Sequence, residues 1–464
     1  MTGSPDVLLL AHPPGPHRGH GPDVPTVPVR IDELGGADAL VLSGPSATEG
    51  AERLLDHTVR WGPLPAHDGA RVRSLLRDSR LDGRGGGGFP LVRKVDTALL
   101  APGRPVVIVN GSESEPASRK DRTLCRHRPH LVLDGAALLA RALGADEVVV
   151  HTHRRPGSSA GRLATAIVER VRAALDDPAW HVSEGPDRYV AGESSAVASF
   201  IDGGEARPRF TTRPLAANGP SGRPTLVSNA ETVVQLAVAA RIGAAAWNAR
   251  GAPSSPGPRL ATLAGAVPHP GLVLELTGNG TIGDLLAAGG IGAPPAAVLV
   301  GGFAGTWVRG DEAWQTPYTR EALHCVGASP GCGLLAVLPH DACPLAETAR
   351  LVRYLAGESA GQCGSCVAGL PRLADAMDAL ADGSARRRGV ARMAALAETV
   401  VGSGACAHPD GVALLVRSTL DVFADDVVRH LGGGPCRGAD HPPILPVPVA
   451  RSMPTTGGDA WRLA

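Results

Sequence analysis

Short apolar runs alternate with amphipathic helices between residues 105 and 175, and this pattern constrains the fold more than any other feature. The β-branched run Pro105–Asn110 (PVVIVN) predicts a buried strand, and Leu131–Leu143 predicts a helix. Glu147–His151 (EVVVH) then predicts a second strand, and Arg162–Leu175 a second helix. Strands and helices that alternate at this spacing are typical of a parallel sheet, so we expect an α/β domain.

Composition and patterning divide the rest of the chain. Gly251–Pro258 (GAPSSPGP) predicts a linker, and the order strand, turn, strand, helix, strand after it predicts a β-grasp module. Alanine and leucine then recur at helical spacing, which predicts a small helix bundle. In chain order we predict an N-terminal extension with a short helix near Ala51–Val59 (1–75), the α/β domain (76–250), the β-grasp module (258–335), the helix bundle (340–432) and a loose tail (433–464).

The charge balance and the N-terminus limit the classes of function. Lysine plus arginine and aspartate plus glutamate each total 45, so the basic face that nucleic-acid binding needs is not expected. No apolar run is long enough to span a bilayer. The N-terminus has no cationic start and only a short apolar patch, unlike a secretory signal. We therefore expect a cytoplasmic protein.

Lysine, tyrosine and cysteine each give a further indication. Lys94 and Lys120 are the two lysines of the chain, and Tyr189 is one of three tyrosines. All three lie in or close to the segments described next, although nearly all other basic residues are arginine, and this favours a functional interpretation. Eight cysteines in a cytoplasmic chain indicate core thiols or metal ligands more readily than disulfides.

The glycine-rich segment Gly83–Pro90 (GRGGGGFP) is a candidate phosphate site. Five glycines in eight residues let backbone N–H groups approach an anion closely. The segment precedes the first clear strand and has no closing GK[ST], so it fits neither the dinucleotide fingerprint nor the Walker loop. A plain surface loop remains the alternative.

Polar residues follow the first predicted strand, at the end where ligands bind in α/β sheets. Asn110, Ser112, Glu113, Ser114 and Glu115 fit hydrogen bonding to a ribityl chain or to the edge of a heterocycle, and the alternative is a solvated loop.

Two further segments can also be interpreted as parts of a ligand site: Tyr189–Ser195 (YVAGESS) and Gly222–Thr232 (GRPTLVSNAET). For them the alternative to a ligand site is turn and helix-cap chemistry, with Ser228 or Asn229 capping a helix.

Three cysteines have the spacing of metal ligands. Cys363 and Cys366 form a C-x-x-C pair at a helix start, and Cys406 follows after an intervening helical pair. A redox dithiol and buried structural thiols are the alternatives, although the former usually needs a thioredoxin-like context.

In this order the segments resemble a known family. GRGGGGFP, NGSESEP with KDR, YVAGE, GRPTLVSNAET, ESAGQCGSC and CAH resemble motifs of the flavoprotein subunit of respiratory complex I and its relatives in NAD-linked hydrogenases and formate dehydrogenases. The resemblance runs from about Arg80 to about His430. It implies a Rossmann-like FMN-binding domain, a β-grasp module of the soluble-ligand-binding type and a helix bundle that holds a 4Fe-4S cluster.

The resemblance also implies roles for individual residues. Phe89 and Glu115 match residues that contact the nicotinamide nucleotide, and we predict them as catalytic. Cys363, Cys366 and Cys406 match three of the four thiolates that hold the cluster. The predicted FMN-binding residues are Gly83, Arg84, Gly85, Gly86 and Lys94 for the phosphate, and Asn110, Ser112, Glu113, Tyr189, Gly192, Glu193, Asn229 and Thr232 for the flavin.

The chain departs from the family pattern at the cluster, in the flavin site and on the NADH side. Ala360 stands where the family has the fourth cluster cysteine, and Ser112 replaces an acidic residue of the flavin site. On the NADH side the family has aromatic, acidic and lysine residues that fix an adenine dinucleotide by stacking and by charge. Their replacement predicts weak or absent NADH binding, and the changed positions are Thr97, Ser194, Thr211 and Pro214.

These observations lead to three hypotheses. The first is a flavin-dependent electron-transfer protein that exchanges electrons with a ferredoxin-like or membrane-bound partner. The second is a working NADH dehydrogenase with an altered pocket. The third is a non-enzymatic scaffold that keeps the fold without the cofactors.

Overall fold

The computed structural model describes residues 9–10, 39–45, 50–155, 157–210, 213–433, 436, 438 and 441–448. The strands within them are β1 (Leu9–Leu10), β2 (Val106–Asn110), β3 (Glu147–His153), β4 (Ala179–Gly185), β5 (Thr225–Asn229), β6 (Arg259–Gly265), β7 (Val273–Leu276), β8 (Ala297–Val300), β9 (Thr306–Arg309) and β10 (Leu334–Leu338).

The helices lie between and after these strands. In chain order they are α1 (Leu54–Trp61), α2 (Gly69–Ser79), α3 (Leu91–Leu100), α4 (Lys120–His127), α5 (Pro129–Leu143), α6 (Ala160–Arg172), α7 (Ser194–Ile201), α8 (Ala230–Ile242), α9 (Ala244–Asn248), α10 (Ile282–Ala288), α11 (Gly310–Gln315), α12 (Arg320–Cys325), α13 (Pro344–Gly357), α14 (Leu370–Ala381), α15 (Arg387–Val400), α16 (His408–Val422) and α17 (Ala424–Leu431).

The first sheet is parallel throughout and has the strand order β1-β4-β3-β2-β5. The predicted α/β class is confirmed, and β2, β3, α5 and α6 coincide closely with the predicted elements. From β2 the chain builds the sheet toward β4, and it then returns to place β5 on the other side of β2. The strand order therefore reverses between β2 and β5, where Asn110 pairs in register with Asn229. Ligands bind at such reversal points, outside the carboxyl ends of the strands.

The two faces of this sheet are buried in different cores. Val107 and Val109 of β2 pack into the larger core with α5 and α8. Val106 and Ile108 point to the opposite face and pack against Val197 of α7. Covering both faces explains why these strands are almost wholly apolar, as is typical of parallel sheets.

Gly135 marks a close approach between α5 and α8, because a Cβ atom there would lie 1.8 Å from the carbonyl oxygen of Val233. We expect Gly135→Ala to lower the free energy of unfolding by about 3 kcal/mol, since two buried helices must separate. Gly161→Ala in α6 is the matched control, because nothing lies within 4 Å of its Cβ position. Urea unfolding of both variants measures the difference, and equal stabilities would contradict the prediction.

Part of the predicted N-terminal extension packs into the core of the α/β domain and against β7 of the second sheet. Val41 and Leu42 are buried, and the backbone amides of residues 40–42 donate to the carboxylate of Glu275. The predicted short helix near Ala51–Val59 is α1, whereas α2 was not expected from the sequence. The residues before 39, apart from β1, lie outside the described part of the chain.

The second sheet is mixed, with the order β7-β6-β10-β8-β9. Only β6 and β10 pair in parallel, and the other neighbours are antiparallel. The predicted order of strand, turn, strand, helix and strand corresponds to β6, β7, α10 and β8. The central strand β10 was not predicted, although its five residues are all buried.

Helices α13 to α17 follow the second sheet and share one core with it, which includes Trp307 of β9 and Leu351 of α13. The described part of the tail also packs here, contrary to the expectation of a loose segment. The amides of Ile444 and Leu445 donate to the Glu347 carboxylate of α13, which holds the chain against the helix. None of the helices in the described residues has both the length and the apolar character needed to cross a bilayer.

Candidate functional site

A cleft of about 500 Å³ opens at the carboxyl ends of β2 and β5, where the strand order reverses. Loops from the first sheet form one wall, the second sheet contributes residues 301–304 and 331–332, and the start of α16 completes the rim. The cleft is lined by the following predicted residues: Gly83, Gly85, Gly86, Phe89, Lys94, Asn110, Ser112, Glu113, Glu115, Tyr189, Gly192, Glu193, Asn229, Thr232 and Cys406.

The glycine-rich loop presents backbone to the cleft. Gly86 has φ +112° and Gly88 φ +53°, conformations that residues with a Cβ atom rarely adopt. A Cβ atom at Gly85 would lie 3.0 Å from the Cβ of Asn229. A hydrogen bond holds the loop against α8, because the Arg84 amide donates to Thr232 Oγ1 at 2.8 Å.

The Arg84 side chain is turned away from the cleft. Its guanidinium lies 3.0 Å from Asp82 and donates to the carbonyl oxygen of Pro256. Burial lowers the pKa of Arg84 to about 10. Among the predicted phosphate residues, Arg84 therefore contributes only its backbone, whereas Lys94 lines the cleft and donates to the Val227 carbonyl at 3.2 Å.

A buried charge network lies beneath the cleft. Lys120 Nζ is 2.8 Å from Glu231 Oε2 and 3.2 Å from Asp121 Oδ2, and it donates to the Arg84 carbonyl. Burial by itself would lower the pKa of Lys120, but the carboxylates of Asp121 and Glu231 raise it above its ordinary value. Burial raises the pKa of Asp121 to about 6. The network joins the glycine-rich loop to α4 and α8, and sequence reasoning noted Lys120 without giving it this role.

Three of the predicted flavin residues also cap helices that begin at the cleft. Glu113 accepts from the amides of Asp121 and Arg122 at the start of α4. Glu193 accepts from the first amides of α7, and Asn229 from the Glu231 amide of α8. The helix-cap interpretation of Asn229 is therefore correct. The amino ends of three helices carry partial positive charge and lie around the cleft, which favours an anionic ligand.

Three buried polar atoms of the lining have no hydrogen-bond partner among the described residues. They are the Oγ atoms of Ser112 and Ser114 and Oε1 of Glu115. Buried polar groups normally have partners, so these atoms indicate a ligand with its own polar groups. Gly192 leaves no room for a side chain, because a Cβ atom there would lie 1.9 Å from Ser114 Oγ. The cleft therefore fits a polar aromatic ligand such as FMN.

Glu115 is the most perturbed acid of the cleft. Its Oε2 accepts from the Phe303 amide at 2.8 Å and from the Tyr189 hydroxyl at 3.2 Å. Burial raises the pKa of Glu115 to about 7, despite these hydrogen bonds. Glu115 can therefore hold or release a proton near neutral pH. Its Oε1 atom has no partner among the described residues.

The raised pKa of Glu115 predicts a pH-dependent stability of the FMN-free protein. The folded state holds this proton more tightly than the unfolded state, so the stabilisation is complete below about pH 4.5 and is lost as the pH rises through about 7. A shift of this size corresponds to about 3 kcal/mol. Glu115→Gln cannot ionise, so we expect it to be more stable than the wild type at pH 8 but not at pH 4.5. Urea unfolding at both pH values measures this, and a constant difference between the proteins would contradict it.

Tyr189 and His408 connect the cleft to the C-terminal helices. The Tyr189 amide donates to Glu358, which also accepts from Arg188. The His408 ring lies 5.5 Å from the Tyr189 ring, and its Nε2 donates to the Leu355 carbonyl. Burial lowers the pKa of His408 to about 4, so the ring is neutral at physiological pH. His408 was part of the C-A-H motif, but sequence reasoning gave it no role.

A second cavity of about 490 Å³ adjoins the cleft and shares Phe89 and Lys94 with it. Phe89 lies at this boundary and is 46% exposed. The lining of the second cavity includes Thr97, Ser194 and Pro214, three of the positions where the family pattern is changed. Thr211, the fourth changed position, lies outside the described residues. Three of the four changes on the NADH side therefore line one cavity.

The three predicted cluster cysteines converge beside the cleft. The sulfur atoms of Cys363 and Cys366 are 3.2 Å apart, and Cys406 lines the cleft itself. Burial raises the pKa of Cys366 to about 12 and also raises that of Cys406. Ala360 is buried against Val190 and Ala191, so no thiol stands at the position where the family has the fourth cysteine.

A parallel sheet with a glycine-rich loop and a polar cleft at its reversal point defines a nucleotide-binding α/β protein. Comparison with known families identifies the type. The family model described as the Nuo51 FMN-binding domain matches residues 76–238. The model described as the NADH-ubiquinone oxidoreductase-F iron-sulfur binding region matches residues 346–430.

Similar proteins carry related names. An F subunit of the NADH-quinone oxidoreductase of Rhizobium meliloti, the one numbered 2, is 28% identical over 78% of this chain and 88% of its own. The F subunit of the NADH-quinone oxidoreductase of Mycobacterium bovis is 28% identical over 79% of this chain and 85% of its own. The solved NAD+-reducing [NiFe]-hydrogenase in the H2-reduced state matches with a TM-score of 0.73 and 28% identity, over 82% of this chain and 67% of that one. The chain is a divergent member of this flavoprotein family, as its motifs predict.

Proposed function

We propose that this protein is a flavin-dependent electron-transfer subunit that binds FMN in the cleft and exchanges electrons with an iron–sulfur cluster or a redox partner. The unpartnered polar atoms of Ser112, Ser114 and Glu115 are the observation that carries the proposal. The matching family models, one for FMN and one for an iron–sulfur region, support the same cofactors. FMN would accept electrons in pairs and release them singly.

We assign the roles within the cleft from the geometry described above. The backbone of Gly83, Gly85 and Gly86 and the ammonium group of Lys94 bind the phosphate, together with the amino ends of the surrounding helices. Ser112, Ser114 and Glu115 donate to or accept from the polar groups of the flavin. Glu115, with its pKa near neutrality, exchanges a proton at Oε1 during turnover.

The chain also fits the proposed division into modules. We assign residues 76–250 to the FMN-binding domain, 258–335 to a β-grasp module and 340–432 to an iron–sulfur helix bundle. The mixed second sheet, which packs helix α10 against it, supports the β-grasp assignment. The positions of Cys363, Cys366 and Cys406 at the edge of the helices support the assignment of residues 340–432 to an iron–sulfur helix bundle.

The changed second cavity bears on the electron donor. Phe89 and Lys94 remain in the lining of the cavity, but the second aromatic and the acidic residue of the family pattern are replaced by Thr97 and Ser194. Fewer groups are therefore left to stack on and fix an adenine dinucleotide. We propose that NADH binds weakly or not at all and that a ferredoxin-like or membrane-bound protein exchanges electrons with this subunit. The relatives are named as subunits, which supports assembly with such a partner. We also propose that the protein is cytoplasmic.

The absorption spectrum of the anaerobically purified protein, before and after NADH addition, tests these proposals. Flavin bands with a broad brown shoulder support the binding of FMN and a cluster, and flavin bands that persist after NADH addition support a different donor. Bleaching by NADH would overturn the proposal for the donor alone. A colourless protein that takes up no added FMN would overturn the proposed function and indicate a scaffold. The match to an FMN-binding family model argues against that outcome.

A further inference from the structure

A second group of metal-ligating side chains lies apart from the cleft and from the three predicted cluster cysteines. Cys343 precedes α13, His430 lies near the end of α17, and Cys436 follows α17. One ligand atom from each residue lies within 4.8 Å of the others. Cys343 and His430 are buried and Cys436 is half-buried, so one side of the group faces solvent.

The hydrogen bonds of His430 fix which ring nitrogen is available. Its Nδ1 lies 3.1 Å from the Leu380 carbonyl oxygen, which can only accept, so Nδ1 carries the proton. Nε2 therefore carries the lone pair, which accepts from the Cys343 thiol at 3.6 Å and would bind a metal ion once that thiol loses its proton. Histidine ligands of metals characteristically donate their second ring N–H to a backbone carbonyl in this way.

The Cys343 sulfur lies at the amino end of α13, on the side where His430 and Cys436 meet it. It accepts from the Ala346 amide at 3.3 Å. The peptide amides and the helix dipole there stabilise negative charge. The backbone at Gly438, beyond α17, lies directly against the backbone of Cys343, because a Cβ atom at Gly438 would lie 2.0 Å from the Cys343 nitrogen. The backbone thus brings Cys436 to the start of α13.

We propose that Cys343, His430 and Cys436 bind one Zn²⁺ ion, with water in the fourth position, and that this ion holds the segment after α17 against α13. Two sulfur ligands and one imidazole favour Zn²⁺ over magnesium or calcium, which prefer oxygen ligands. Binding releases the two thiol protons to solvent and needs no oxidant. The site is separate from the FMN cleft and does not depend on the proposed function.

Metal analysis of the full-length protein, purified without chelators, tests this inference. We expect about one zinc per chain in the wild type and its loss in Cys436→Ser and His430→Gln. The exposed Cys325 provides the matched control, so Cys325→Ser should retain the zinc. Cys363→Ser should also retain it, although that variant perturbs the proposed cluster.

Thermal unfolding with and without a chelator extends the test to variants that fold poorly. The melting temperature of the wild type should fall when the chelator is added, whereas that of Cys436→Ser should not respond. Three results would overturn the inference: wild type that takes up no zinc when it is supplied in excess, zinc that survives Cys436→Ser, or a disulfide between Cys343 and Cys436 in freshly purified protein.

Discussion

Replacing Lys120 with methionine should lower the free energy of unfolding by about 3–5 kcal/mol, the cost of leaving buried charges without a partner. Lys120 is 1% exposed and neutralises Glu231 and Asp121, which are also buried. Methionine retains much of the side-chain volume, so the loss reflects the charge and not a cavity. Chemical unfolding of the FMN-free proteins at pH 7 measures the difference.

Arg104 provides the control for this variant. It forms an ion pair with Asp146 at 3.1 Å, but both side chains are largely exposed. Solvent screens such a pair, so Arg104→Met should change the stability by less than about 1 kcal/mol. If Lys120→Met proves as stable as Arg104→Met, the charge network beneath the cleft does not stabilise the fold and the prediction is wrong.

Replacing Ala360 with cysteine should complete the thiolate set beside the cleft. Ala360 is buried next to Ala191, on the segment that leads to Cys363 and Cys366. A fourth thiolate protects the iron atom that would otherwise bind water, and we expect the iron content to rise to about four atoms per chain. Iron and sulfide analysis of anaerobically purified protein measures this, together with the rate at which the brown colour fades in air.

Ala376→Cys is the matched control, because it adds a thiol to α14 at a partly buried position. Its iron content and its rate of fading should equal those of the wild type. The prediction fails if Ala360→Cys also leaves both quantities unchanged, since Ala360 would then lie outside the reach of a cluster.

The sequence predicted the elements whose pattern is local. The apolar runs of β2 and β3 and the helical spacing of α5 needed no knowledge of distant residues. Strands β4 and β5 were not predicted, because polar residues such as Ser183 and Ser228 interrupt their apolar pattern. Their extended conformation depends on pairing with β3 and β2, which lie elsewhere in the sequence.

The same limit applies to the site. Motif order identified most residues of the cleft, because each motif is a short continuous segment of the chain. It did not reveal that Lys120 pairs with Glu231 or that His408 packs beside Tyr189, since both contacts join residues far apart in the chain. Nor did it show that Glu113 and Glu193 cap helices, because a cap depends on where each helix begins.

The order in which the chain is synthesised has a consequence for how the cleft forms. The glycine-rich loop leaves the ribosome first, whereas the Phe303 amide that holds Glu115 and the His408 ring beside Tyr189 emerge much later. A nascent chain that has emerged only as far as β5 has the floor of the cleft but not its far wall. We therefore expect flavin to bind firmly only after the second sheet and α16 have packed against the first sheet.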